Sequence, residues 1–239
     1  MITLGIDTSN QALAVGVVED KQVLGQIQLN VKQNHSIALM PAIDTLVKSL
    51  GLTPKAIQRI VVAEGPGSYT GLRIGVTVAK TLVYTLNQEL VGVSSLQALA
   101  ANCVSREGWI IPLFDARREN VYAGIYQWQA GELVNQLADQ HIALTDLLTK
   151  IPEGQKVYFV GSDVAKFQEK IKAGLPHAEI NQEPHWDLPS GAVVALLGEN
   201  AQPVADVHSF LPKYLKRVEA EEKWLATNQE EDQNYVEKI

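Results

Sequence analysis

The apolar pattern of this chain runs through the same series of elements twice, and that duplication constrains the fold more than any single motif. Residues 2–7 (ITLGID) and 12–18 (ALAVGVV) read as buried strands, and Glu19-Asp20-Lys21 as a polar turn into a third, alternating strand at 22–29. A helix is predicted over 35–50, with Leu39, Ile43, Leu46 and Leu50 on one stripe; Ile37, Met40 and Val47 widen its apolar surface. A strand at 59–64, a long helix at 70–86, a short strand at 90–93 and a helix at 95–104 complete the order βββαβαβα. The second half follows suit: strands at 109–115, 120–126 and 132–137, a helix at 144–150, a strand at 156–161, a helix at 162–172, a strand near 177–181 and a helix at 190–199. Repetition of a whole order of elements is the mark of internal duplication. The expected division is an N-terminal lobe over 1–104, a C-terminal lobe over 105–210, and a tail over 211–239 that returns a helix toward the first lobe.

Composition narrows the functional classes. Of 239 residues 46% are hydrophobic, enough for a true core, and the net charge of −7 gives no basic footprint for a large nucleic-acid contact. The single cysteine, Cys103, lies among Ala100, Ala101 and Val104 and reads as a buried, inert thiol. Met1-Ile2-Thr3-Leu4 opens directly on strand residues with no secretory leader pattern, and no apolar run reaches the ~18 residues of a membrane span. The cytoplasm is the expected compartment, and no membrane partner is expected.

The repeated order resembles the actin-like superfamily of ATPases and sugar kinases, a two-lobed, ribonuclease H-like α/β fold. Such an ATPase needs carboxylates at the inter-lobe cleft for magnesium and water, and turns whose amides approach phosphates. Asp7 and Asp115 end the first strand of each half, which are equivalent places. The turn after Asp7 is Thr8-Ser9-Asn10, without glycine; its hydroxyls could hold phosphate oxygens or could close the hairpin. Gly161-Ser162-Asp163 sits at a strand-to-helix step that could meet adenosine or could simply cap the helix. Arg117-Arg118-Glu119 fits either an anionic partner or a solvated turn.

A more specific signal is Gly65-Pro66-Gly67-Ser68-Tyr69-Thr70-Gly71-Leu72-Arg73-Ile74-Gly75. Gly71 and Gly75 share a helix face at a cost of about 1 kcal/mol each against alanine, so something should approach that face closely. The string lacks the Lys-Ser/Thr ending of a Walker loop, and helix-on-helix packing, within the fold or between subunits, is the favoured explanation.

This string, with the opening LGIDTS, the Asn34-His35-Ser36 helix start and Asp115-Ala116-Arg117-Arg118 with Val121-Tyr122, resembles the TsaB family of tRNA threonylcarbamoyladenosine biosynthesis proteins, over nearly the whole chain. The resemblance implies a non-catalytic partner of the paralogous transferase TsaD, joined by the ATPase TsaE, that touches tRNA only through the complex and forms homodimers when isolated. It implies no cofactor. It also implies no metal site: the positions of TsaD's metal-binding His-x-x-x-His align with Ser95 and Leu99, and leucine has no lone pair to offer. His35, His141, His177, His185 and His208 are scattered without ligand spacing. In this family the helices matching 35–50 and 70–86 form the dimer interface, which makes His35, Leu39, Ile43, Leu46, Thr70, Leu72, Arg73, Val76 and Ala79 the interface candidates. Leu72→Glu is then expected to abolish pairing with TsaD and leave the monomer folded. The competing expectation is an ATPase or kinase using Asp7, Asp115 and the Gly161 turn.

Overall fold

The computed structural model describes residues 1–31, 34–104 and 106–216. The expected acidic helix surface at Glu219–Glu222, the Trp224 anchor and the polar end from 227 lie outside the described residues.

The first half forms β1 (Ile2–Asp7), β2 (Leu13–Glu19), β3 (Gln22–Leu29), α1 (His35–Ser49), β4 (Arg59–Gly65), α2 (Tyr69–Leu86), β5 (Glu89–Ser94) and α3 (Ser95–Ala101). The second forms β6 (Trp109–Asp115), β7 (Asn120–Gln129), β8 (Glu132–Ala143), α4 (Leu144–Thr149), β9 (Val157–Val160), α5 (Val164–Gly174), β10 (Glu179–Ile180) and α6 (Gly191–Gly198). The sheets run β3-β2-β1-β4-β5 and β10-β9-β6-β7-β8, so one order is built twice. In each half the first strand pairs antiparallel with the second and parallel with the fourth. The predicted order therefore stands, with ends displaced by a few residues.

Side-chain polarity explains the layers. The α1 stripe of Leu39, Ile43 and Leu46 and the α2 stripe of Val76, Ala79 and Val83 close on Leu4, Ile6, Val15, Ile60 and Val62 of the first sheet. α4 and α5 cover one face of the second sheet through Leu144, Leu147, Phe167 and Ile171. α3 packs on the other face, with Leu96, Leu99 and Cys103 against Ile110, Phe114 and Tyr158. Asn34 caps α1 by accepting from Ser36 N (3.1 Å), Ser68 caps α2 by accepting from Gly71 N (3.3 Å), and Ser94 caps α3 through Leu96 N and Gln97 N.

One crossing differs from expectation. The helix that returns to the first lobe is α6, well before residue 211, and it lies on the first sheet's second face against β1 and β2. It comes so close that a Cβ on Gly5 would stand 2.2 Å from Gly191 O, and one on Gly16 2.2 Å from Ala192 N. Its sequence, GAVVALLG, is apolar all round, as a helix covered on all sides must be. Arg59 holds its C-terminal end, with Nη1 donating to Gly198 O (2.9 Å), Glu199 O (2.6 Å) and Ala201 O (3.1 Å). Residues 203–213 then run along the first lobe: Val204 N donates to Leu90 O (2.8 Å), and Lys213 N to Glu64 O (2.7 Å).

Candidate functional site

The two strand-end aspartates share a local geometry. Asp7 Oδ1 accepts from Ser9 N at 2.8 Å, and Asp115 Oδ1 accepts from Arg117 N at 2.8 Å. Each is an Asx turn, in which the carboxylate folds back on the amide two residues on. The surroundings differ. Asp7 is 1% exposed, its Oδ2 has no hydrogen-bond partner among the described residues, and burial lifts its pKa to about 6 against the pull of the Ser9 amide. Asp115 is partly exposed and salt-bridged to Lys166 (3.0 Å). Desolvation pushes its pKa up, but the Arg117 amide and Lys166 outweigh it and hold the carboxyl below its usual range.

The glycine string decides what happens around Asp7. Cβ atoms on Gly67, Gly71 and Gly75 would stand 2.2 Å from Ser9 O, 2.1 Å from Thr8 O and 2.4 Å from Thr8 Oγ1. The favoured explanation of helix-on-helix packing is thus corrected: the glycine face seats α2 on the turn that follows β1. Thr8 Oγ1 donates to Gly71 O (2.7 Å), and Ser68 N donates to Ser9 O (2.7 Å). Thr8 is completely buried, so its hydroxyl serves the helix and is not offered to a phosphate.

A cavity of about 510 Å³ does lie between the lobes. Ser9, Asn10, Tyr69, Asp115, Arg117 and Asp163 contribute to its wall, with Lys213 to Lys216 on one side; Asp7, Thr8 and Gly161 do not line it. The Gly161 amide donates to Asp187 Oδ1 (2.7 Å), so the turn proposed for adenosine is already bonded internally. Asp163 precedes α5 without capping it; its Oδ2 accepts from Asp115 N (2.9 Å) and its Oδ1 pairs with Lys166 (2.8 Å). A second inter-lobe cavity of about 360 Å³ surrounds Asp139, which accepts from Ser94 Oγ and from Tyr126 OH (2.5 Å). Burial raises the Asp139 pKa, and the Ser94 and Tyr126 bonds oppose it. Beside it Lys213 pairs with buried Glu64 at 2.5 Å. Single-sequence patterns gave no signal for this cluster, because its members come from β4, β5, β7, β8 and the tail.

Ser95 and Leu99 are 1% and 2% exposed. Leu99 belongs to the apolar cluster under α3 and would be 3.3 Å from a Cβ on Gly161. Among the described residues no group of three or more His, Cys, Asp and Glu side chains is placed to hold a metal. No described helix is long and apolar enough to cross a membrane.

The interface candidates divide. Leu39, Ile43, Leu46, Leu72, Val76 and Ala79 are at most 5% exposed and face the chain's own core, with the first three, Val76 and Ala79 in the cluster under α1 and α2. A glutamate at Leu72 would therefore be buried in the monomer, and the expectation of a folded Leu72→Glu chain is withdrawn. His35 is half-buried, with Nε2 2.8 Å from Asn10 O. Thr70 and Arg73 are exposed. Arg73 Nη1 donates to Tyr69 OH (2.9 Å) and its guanidinium lies 5.3 Å from that ring's centre, while Tyr214 stacks on Tyr69 at 4.7 Å. The apolar side chains these two helices leave exposed are Ile37 (73%), Met40 (44%), Tyr69 (44%) and Tyr84 (58%).

Duplicated mixed sheets meeting at a cleft define an actin-like α/β protein. Two solved structures share the fold: YeaZ from Pseudomonas aeruginosa (TM-score 0.75, 23% identity, covering 90% of this chain and 99% of that one) and the ethanolamine utilization protein EutJ from Carboxydothermus hydrogenoformans (TM-score 0.50, 14% identity, 83% and 90%). Residues 22–224 match the family model for TsaD, tRNA N6-adenosine threonylcarbamoyltransferase. The tRNA threonylcarbamoyladenosine biosynthesis protein TsaB of Bacillus subtilis is 40% identical over 226 residues, 94% of this chain and 98% of that protein. The chain belongs to the TsaB family of tRNA threonylcarbamoyladenosine biosynthesis proteins.

Proposed function

We propose that this chain is a non-catalytic subunit of the cytoplasmic machinery that forms N6-threonylcarbamoyladenosine beside the tRNA anticodon, pairing with TsaD and helping to recruit TsaE. The observation that carries the reading is the use of the would-be catalytic positions for packing. Ser95 and Leu99 are buried, Thr8 is spent on Gly71 O, and the Gly161 amide is spent on Asp187. What α1 and α2 leave free is a surface of Ile37, Met40, Tyr69, Arg73 and Tyr84, in which Tyr and Arg are common interface anchors. Thr81 and Thr85 turn their hydroxyls back to Thr77 O (2.9 Å) and Thr81 O (2.8 Å), so they offer methyl groups outward on that surface. The test is capture of the chain by immobilised TsaD. Met40→Glu and Tyr84→Glu, both exposed, should each weaken capture at least tenfold with unchanged circular dichroism. Undiminished capture of both would remove these helices from the interface. The ATPase alternative is checked by calorimetry with ATP and magnesium on the isolated chain, where turnover would favour it.

A further inference from the structure

We infer that β3 is the docking edge for a second copy of this chain, joining two first-lobe sheets across a twofold axis. A sheet edge presents unpaired N–H and C=O groups, and folded proteins blunt it with cover, brevity, charge or bulges. Among the described residues there are four such edges. β5 is covered by the segment from 203, which bonds Leu90 O and lays Phe210 over Gly92. β10 is two residues long. β8 carries Glu132 and Asp139, and its pairing with β7 is broken by two register shifts. β3 is different: Gln22–Leu29 holds no charged residue and no proline in a chain of net charge −7. Its register shift against β2 falls at Val17/Val18, which leaves Gly25–Leu29 regular.

A groove accompanies the open edge. About 610 Å³ of space lies between β3 and α1, walled mainly by Ile27, Leu29, Ile37, Ala38, Pro41 and Ala42. A strand added about 4.8 Å beyond β3 would set alternate side chains over that groove. β3 is also self-complementary. Ile27 and Leu29 face α1, and a Cβ on Gly25 would meet Leu46 and Leu50 on that side. Gln26 and Gln28 face the other way, bonded to Ser190 Oγ (2.9 Å) and Pro189 O (2.6 Å). An antiparallel copy centred on Ile27 pairs Ile27 with Ile27, Gly25 with Leu29 and Gln26 with Gln28. Each face then meets its like, no charges oppose, and the partner's Leu29 sits where Gly25 leaves room. An isologous contact of this kind closes at two copies.

The pairing goes beyond TsaD binding and is tested on the isolated full-length chain. Ile27→Cys places a thiol on the twofold, where facing Cα atoms stand about 4.5–5.5 Å apart, within disulfide reach. Mild oxidation should double the mass of Ile27→Cys on a denaturing, non-reducing gel. It should leave Thr81→Cys, on the exposed face of α2, monomeric. Mixed Gln26→Cys and Gln28→Cys chains should crosslink to each other more than either does to itself. Native Cys103 is fully buried and does not compete. Ile27→Lys, if its circular dichroism matches the parent, should lose any concentration-dependent dimer seen by light scattering. A monomeric Ile27→Cys chain after oxidation, stronger crosslinking at Thr81→Cys, or an undiminished Ile27→Lys dimer would each overturn the inference. Capture by TsaD, read separately, tests the subunit assignment independently.

Discussion

Replacing Gly71 by alanine should destabilise the chain although it improves the helix. The change removes a glycine from the first turns of an 18-residue helix, which alone favours folding by up to about 1 kcal/mol. Against that, the new Cβ would begin 2.1 Å from Thr8 O, where ordinary contact starts at 3.4 Å, so α2 must lift by about 1.3 Å or tilt. Overpacking of this kind costs ~1–3 kcal/mol. Lifting also stretches the buried bond from Thr8 Oγ1 to Gly71 O, and an orphaned buried hydroxyl costs ~1–3 kcal/mol more. The net loss is about 3 kcal/mol, or roughly 6–12 °C in Tm for a domain of this size. Thermal melts by circular dichroism, with exposed Thr77→Ala as the helix control, measure it. An unchanged or raised Tm for Gly71→Ala would refute the claim that the glycine face exists to seat α2 on the β1 turn.

Two further outcomes follow from buried polar groups. Arg59→Met leaves three carbonyls at the end of α6 without their donor and should lower stability by about 3 kcal/mol in urea; a loss below 1 kcal/mol would mean that water replaces the guanidinium there. For Asp7, the folded value near 6 lies above the ordinary 3.8, so between those pH values the folded chain keeps a proton the unfolded chain has lost. Its contribution to stability therefore falls as pH rises through that window, by about 3 kcal/mol in all. Asp7→Asn should gain on the parent between pH 4 and pH 7, and a pH-independent difference between the two would contradict the burial argument. Cys103 is buried and its thiol is pushed up to about 12, mainly by burial, so a thiol reagent should label it only after denaturation. Labelling of the native chain within minutes would show an opening that these contacts do not predict.

Strand and helix order was legible because burial on one or both faces writes itself into periodicity, and periodicity is local. Partner surfaces were not legible by the same signal. The regular stripe of Leu39, Ile43 and Leu46 is regular because the chain's own sheet reads it. The exposed apolar residues, Ile37 and Met40, stand off that stripe, and the departure from period was the clue to an outward face. The glycine string announced a close approach but not its object, since the Thr8 turn is some sixty residues away in sequence. The return of α6 could have been seen, because a helix apolar on every side needs cover on every side. The Ser94–Asp139–Tyr126 cluster could not, because only the meeting of two lobes brings it together.

The two halves make the same contact with different chemistry, and that difference shapes the cleft. In both, the loop after the fourth strand touches the end of the first. In the first half it does so with backbone: glycines let α2 descend until Ser68 N reaches Ser9 O and no phosphate-sized space remains beside Asp7. In the second half a side chain spans the gap, with Asp163 accepting from Asp115 N, and space remains. That space presents the Asp163 and Asp115 carboxylates, both already paired with Lys166. A polyphosphate entering there would meet two carboxylates and would find the turn amides on the opposite wall turned inward. The duplicated frame thus keeps the outline of a nucleotide cleft while its polar groups are committed to one another.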